Sequence, residues 1–270
     1  MKSILLTVNN DSGLEARMQV SLDLVRATSG HLTCLNVTPP VEYIGVDTIG
    51  GTPLMVDLDH YYHTSAAELR TKVELKLAHE DVNWDYIHIN DDVLGAVMSA
   101  GALCDLIVLS SPSVLGRRQI ANPFISEFVM RTHTPVLIVP ETINALNVFG
   151  NAAVGWNGSF EAANALRAAM PMLRHAQSVT LVSIDAADED SFPSTDALEY
   201  LSRHGIKATL LSTTVIQGTV EARLTKTAAE LNADYLVMGA YSHSRMREYW
   251  FGGLTRSLFS DVTLPLFVAR

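Results

Sequence analysis

The sequence predicts an α/β protein made of two tandem, doubly wound, five-stranded parallel-sheet domains. Three observations carry that expectation. Segments recur within the chain, short β-branched runs alternate with helical periodicity, and 270 residues suit two domains of ordinary size better than one.

The repeat comes first. Asn10, Ser12, Ala16 and Thr33 recur as Asn157, Ser159, Ala163 and Thr180, each 147 positions later. Further on, Cys104–Leu109 (CDLIVL) answers to Ala233–Met238 (ADYLVM) at an offset of 129, and Pro135–Val139 answers to Pro265–Ala269 at an offset of 130. The fall from 147 to 129 gives the first copy 18 more residues between its second and fourth strands. Gly45, Gly50, Gly51 and Pro53 place much of that excess in a long loop at 40–60.

Within each copy the elements follow in order. Apolar runs near 3–9, 32–38, 84–89, 105–110 and 135–139 read as buried strands, as do runs near 151–156, 178–184, 207–213, 234–239 and 264–269. Met18, Leu22 and Val25 share one helical face, as do Tyr62, Ala66, Leu69, Val73 and Leu77; in the second copy helices are expected near 159–174, 194–204, 217–231 and 253–261. Strands alternating with helices imply right-handed crossovers, with helices on both faces of a parallel sheet. Glu141–Gly150, with Asn144, Asn147 and Gly150 as breakers, reads as the linker, so the domains are expected at 1–143 and 148–270.

Composition narrows the function. Hydrophobic residues make up 48% of the chain and charged residues 18%, as a packed globular protein requires. The 19 Lys and Arg against 29 Asp and Glu give a charge of −10, which offers no overall field for nucleic acid or anionic lipid. No cleavable leader and no apolar run of about 20 residues is recognised, so a cytoplasmic, non-membrane protein is expected. Two cysteines, Cys34 and Cys104, in apolar surroundings read as reduced buried thiols.

A doubly wound sheet binds ligands outside the carboxyl ends of its strands, where strand order reverses. In the second copy a strand ends in Gly239, a polar loop follows, and Gly252-Gly253 opens the last helix. Glycines admit close backbone approach, and a helix start offers unpaired N–H groups to an anion. Ser242, Ser244 and Thr255 add hydroxyls, while His243, Arg245 and Arg247 add charge. Leu254 lies between Gly253 and Thr255 in the same helix start.

This layout resembles the universal stress proteins, in particular the tandem form with two such domains in one chain. Nucleotide-binding members carry G-x2-G-x9-G-[S/T] after the fourth strand. Here Gly239 and Gly252 hold the first and third positions, Ser242 stands at the second, and Gly253 stands where Ser or Thr is usual. At the first strand's exit, where the family places an acidic residue beside the nucleoside, this chain has Trp156-Asn157-Gly158-Ser159. Ser183, at the second strand's exit, is expected to join Trp156 and Asn157 there. The resemblance implies an adenine nucleotide alpha hydrolase-like, Rossmann-like fold, ATP or AMP as a non-obligatory ligand, and a stress-response role. It also implies pairing of the closing strands Val136–Val139 and Leu266–Ala269 as a pseudo-dimer within one chain, with a homodimer as a further form.

The first copy is expected to be silent. Ser110 stands at its first glycine position, and Pro123 at the start of its last helix removes an N–H. Simpler readings stay open: the glycines as turn formers, Asn157 as a helix cap or Asx-turn, Trp156 as packing, and His243, Arg245 and Arg247 as solvated loop residues. His60 and His63, one helical turn apart behind Asp57 and Asp59, are weak metal candidates that serve as well on an exposed helix face. No catalytic set is expected: there is no G-x-S-x-G elbow and no Walker lysine, so at most slow ATP hydrolysis. Two alternatives to nucleotide binding remain, a ligand-independent interaction platform and a metal-dependent or slow nucleotide hydrolase.

Overall fold

The structure, a computed structural model, describes residues 1–40, 55–111, 123–184, 192–215, 218–240 and 263–270, with the side chains of 55–63, Ser111 and Pro123 left aside. The first half runs β1 (Ser3–Thr7), α1 (Leu14–Thr28), β2 (His31–Thr38), α2 (Met55–Leu77), β3 (Asn83–Asn90), α3 (Val93–Gly101), β4 (Leu106–Ser111), α4 (Pro123–Arg131) and β5 (Val136–Pro140). The second runs β6 (Asn151–Trp156), α5 (Phe160–Ala168), α6 (Met170–Leu173), β7 (Ser178–Ile184), α7 (Ser194–Arg203), β8 (Ala208–Thr213), α8 (Val220–Glu230), β9 (Tyr235–Gly239) and β10 (Leu266–Ala269).

The ten strands form one sheet in the order β3-β2-β1-β4-β5-β10-β9-β6-β7-β8. Neighbours within each half are parallel. At the centre β5 and β10 run antiparallel, with Leu266 opposite Ile138 and Val268 opposite Val136. Each half therefore reverses its winding between its first and fourth strands, β1 and β4 or β6 and β9. Chain order explains why: each half starts in the middle of its own sheet, winds outward through two strands, then returns to the other side.

Helices cover both faces. Residues of α1, α2, α5, α6 and α7 pack with strand residues such as Leu6, Val108, Val154 and Val237 on one side. Those of α3, α4 and α8 pack with Leu5, Ile107, Ala153 and Leu236 on the other. Alternate residues of one strand thus enter opposite cores, which is why the central strands read as unbroken apolar runs. Met18, Leu22 and Val25 of α1 are buried, as are Ala66, Leu69, Val73 and Leu77 of α2.

The repeat extends to hydrogen bonds. Asp105 accepts from the N–H groups of Lys2 at 2.5 Å and Ser3 at 3.1 Å, and Asp234 accepts from the Asn151 N–H at 2.7 Å. In both halves a carboxylate ahead of the fourth strand holds the start of the first. Register refines the offsets. Ile4 lies opposite Leu106 as Ala152 lies opposite Tyr235, an offset of 148 for the first strand; Trp84 lies beside Leu32 as Ala208 lies beside Val179, an offset of only 124 for the third. The first half's extra length therefore falls wholly between its second and third strands, and the second half regains a few residues before its fourth.

Two segments depart from expectation. The helix expected at 159–174 is broken into α5 and α6 around Ala169, because the Pro171 ring cannot share a turn with the Arg167 carbonyl. The linker Glu141–Gly150 has no regular structure, yet Leu146 and Val148 are buried in the core that both halves share. The Leu146 N–H donates to Asp23 Oδ2 of α1 at 2.8 Å.

Candidate functional site

The crevices beyond β1 and β4, and beyond β6 and β9, are where a sheet of this order receives a ligand. The chain builds them differently.

In the first half the crevice is filled from within. Arg17, on the second turn of α1, is 2% exposed. Its Nε donates to the Thr7 carbonyl at the end of β1, 3.1 Å away, and its two terminal nitrogens grip Asp11 Oδ1 and Oδ2 at 2.9 and 3.1 Å. This bidentate geometry is the one a guanidinium makes with a carboxylate or a phosphate. Asp11 also accepts from the Gly13 N–H at 2.9 Å, closing an Asx-turn ahead of α1. Next to it, Ser110 at the end of β4 donates to the Gly13 carbonyl at 3.3 Å. A Cβ on Gly13 would stand 2.5 Å from Ser110 Oγ, so the glycine is what lets the helix start settle on the strand end. Asn36 on β2 is buried and donates from Nδ2 to the Val8 carbonyl at 2.8 Å. Arg17 escaped sequence reasoning, since an arginine one position from the apolar face of a helix reads as solvated.

In the second half the same contact is built with the glycine on the strand. A Cβ on Gly239 would lie 2.5 Å from both the Glu161 carbonyl carbon and the Ala162 nitrogen, so the first turn of α5 rests directly on the end of β9. Beside it, Ser159 caps α5 by accepting from the Ala162 N–H at 3.1 Å, and Asn157 Oδ1 accepts from the Ser159 N–H at 3.2 Å. Asn157 is exposed at the mouth, and Gly158 takes the positive φ of 71° that the turn between them requires. Trp156 is buried, and its indole Nε1 donates to the Phe192 carbonyl at 3.2 Å. Ser183, half-buried, sits between Trp156 and Ser212 in the sheet.

The structure thus brings Trp156, Asn157, Ser183 and Gly239 to one end of the sheet. Ser242, His243, Arg245, Gly252, Gly253, Leu254 and Thr255 lie outside the described residues, as do the side chains of His60 and His63. Among the described residues no group of three or more His, Cys, Asp or Glu side chains is placed to hold a metal ion. No helix among them is long and apolar enough to cross a membrane. Cys34 is fully buried, which pushes its thiol up to about 12, while Cys104 is partly exposed.

Set beside solved structures, the whole chain superimposes on a universal stress protein from Archaeoglobus fulgidus with a TM-score of 0.71 at 16% identity, covering 99% of this chain and 97% of that one. The fold is that of the universal stress proteins. Two Pseudomonas aeruginosa structures share it along their length: a putative universal stress protein with a TM-score of 0.59 at 16% identity, covering 100% of this chain and 93% of that one, and a functionally unknown protein with a TM-score of 0.59 at 15% identity, covering 100% and 92%. No family model matches the chain, nor does any curated protein. The universal stress protein fold is thus carried here by a sequence at most 16% identical to these structures, and both of its crevices have a strand-end to helix-start contact built from different residues.

Proposed function

We propose that the chain is a tandem universal stress protein, with domains at 1–143 and 148–270, that binds an adenine nucleotide or a similar phosphate-bearing ligand in its second half only. The contrast between the two crevices carries this reading. In the first, a buried guanidinium already has the carboxylate partner that occupies its fork. In the second, no buried ion pair stands among the described residues, and exposed Asn157 and half-buried Ser183 line the mouth. Gly239, Ser242, Gly252, Gly253, Leu254 and Thr255, with His243 and Arg245, would hold phosphate; Trp156, Asn157 and Ser183 would face the nucleoside. The ligand is held by hydrogen bonds and helix-start N–H groups, and the role is a stress response in the cytoplasm rather than turnover.

Titration calorimetry of the full chain with ATP and AMP at millimolar concentration tests this. Heat of binding at one site per chain is expected; no heat with either nucleotide removes the reading. One observation favours a ligand-independent platform instead: Gly239 has a complete structural reason in the Glu161–Ala162 contact and needs no ligand to explain it. Lack of binding, with both halves intact, would favour that platform.

A further inference from the structure

We infer that Phe160 and Phe192 form an aromatic platform that takes the nucleobase of the ligand, an inference that rests on the nucleotide reading of the second half. Phe160 is the first residue of α5 and is 72% exposed. Phe192 is also exposed, and the two rings meet edge to face with centroids 5.0 Å apart and planes at 87°. The pair joins the exit of β6 to the chain entering α7.

Its position is fixed from the backbone. The Phe192 N–H donates to the Gly158 carbonyl at 2.8 Å, and the Phe192 carbonyl accepts from Trp156 Nε1 at 3.2 Å. Both main-chain groups of Phe192 are therefore committed to the loop that precedes Phe160. Edge-to-face contact spends only part of each ring, and Phe160 keeps most of its surface in water. A large apolar side chain held exposed by a dedicated frame, rather than folded into the neighbouring core, points to something that covers it. The covered area, about two rings, is far below the roughly 800 Å² per partner of a protein interface and fits one planar heteroaromatic ring. The site lies at the carboxyl end of β6, beside the point where winding reverses, as ligands of such sheets do. Trp156 would back the nucleoside site from within without stacking on the base, since its ring is buried and its N–H is bound. The exit of β1 in the first half, Asn9-Asn10-Asp11-Ser12-Gly13, offers no aromatic residue.

The test compares full-length wild type, Phe160→Ala and Phe160→Tyr by calorimetry with two probes, ATP and inorganic tripolyphosphate. Because Phe160 is exposed, its removal leaves the fold intact. Stacking of a base on an aromatic ring predicts that Phe160→Ala raises the Kd for ATP about tenfold, that Phe160→Tyr does not, and that tripolyphosphate binds all three alike. Saturation-transfer NMR should place the strongest enhancement on the adenine protons in wild type and lose it in Phe160→Ala. Equal ATP affinity in Phe160→Ala overturns the platform while leaving the nucleotide reading standing. Equal weakening of ATP and tripolyphosphate also overturns it, since the residue would then act on the phosphates. Failure of wild type to bind either probe removes the nucleotide reading and the platform with it.

Discussion

At the end of β4 the first half sets Ser110 beneath Gly13, and at the end of β9 the second sets Gly239 beneath the Glu161–Ala162 peptide. Both arrangements solve one steric problem, a helix start crossing a strand end, with the missing side chain on opposite partners. The two crevices differ as a result. With Gly13 on the helix, the turn before α1 carries Asp11 and the helix carries Arg17, whose buried fork closes the crevice. With Gly239 on the strand, the helix start carries Glu161 and projects Phe160 outward, and Gly158 stands 147 positions after Asp11, where the first half has its carboxylate. A duplicated fold can therefore keep its strand order and its capping carboxylates, Asp105 and Asp234, while one switch point is sealed by an internal ion pair.

Breaking the seal should have the largest effect. Asp11→Ala strands the Arg17 guanidinium in the core, and urea unfolding should show a loss of about 3 kcal/mol, the lower end of what removing one partner of a buried pair costs, because Asp11 itself reaches the rim. Arg17→Met in the same background removes the stranded charge and should recover most of that loss; no recovery would mean that the pair is not what closes the crevice. The glycine exchange comes next. Gly239→Ala places its methyl against backbone and should cost about 1–3 kcal/mol with no side chain able to give way. Gly13→Ala meets side chains rather than backbone, Ser110 Oγ at 2.5 Å and Arg17 Nη1 at 3.1 Å, so a smaller loss of roughly 1 kcal/mol is expected, and Ser110→Gly should relieve most of it. Thermal melts of the two single variants and the Gly13→Ala, Ser110→Gly pair measure this directly.

The smallest effect concerns the thiols. Burial raises Cys34 to about 12, so it stays protonated and closed to reagent at about pH 8, where the partly exposed Cys104 reacts. Mass analysis after iodoacetamide treatment should find one modification, at Cys104, until the chain is unfolded. A modified Cys34 in the folded protein would show that the first half opens at β2.

Much of this architecture was legible in the sequence because its inner strands are buried on both faces. Runs such as Ile4–Leu6 and Val136–Val139 have no polar face to confuse with a helix, whereas the third strands, expected as buried runs at 84–89 and 207–213, are found at Asn83–Asn90 and Ala208–Thr213 as edge strands without a fully buried residue. The linker was legible as irregular chain, but not the burial of Leu146 and Val148, which depends on the two halves sharing one core. Asn157, Ser183 and Gly239 were named from their place at strand ends, and all three lie at the carboxyl ends of β6, β7 and β9. Arg17 was not found, because its partner Asp11 lies across a turn at a spacing that no helix repeats. The Phe160–Phe192 pair was equally hidden, since the two rings are neighbours only after β7 returns the chain to the same end of the sheet.

Difference electron density in crystals of the full chain grown with ATP tests the contrast between the halves most directly. A single nucleotide is expected at the carboxyl ends of β6 and β9, with Arg17 and Asp11 still paired in the first half. Density in the crevice of β1 and β4, with Arg17 turned from Asp11 toward phosphate, would contradict it.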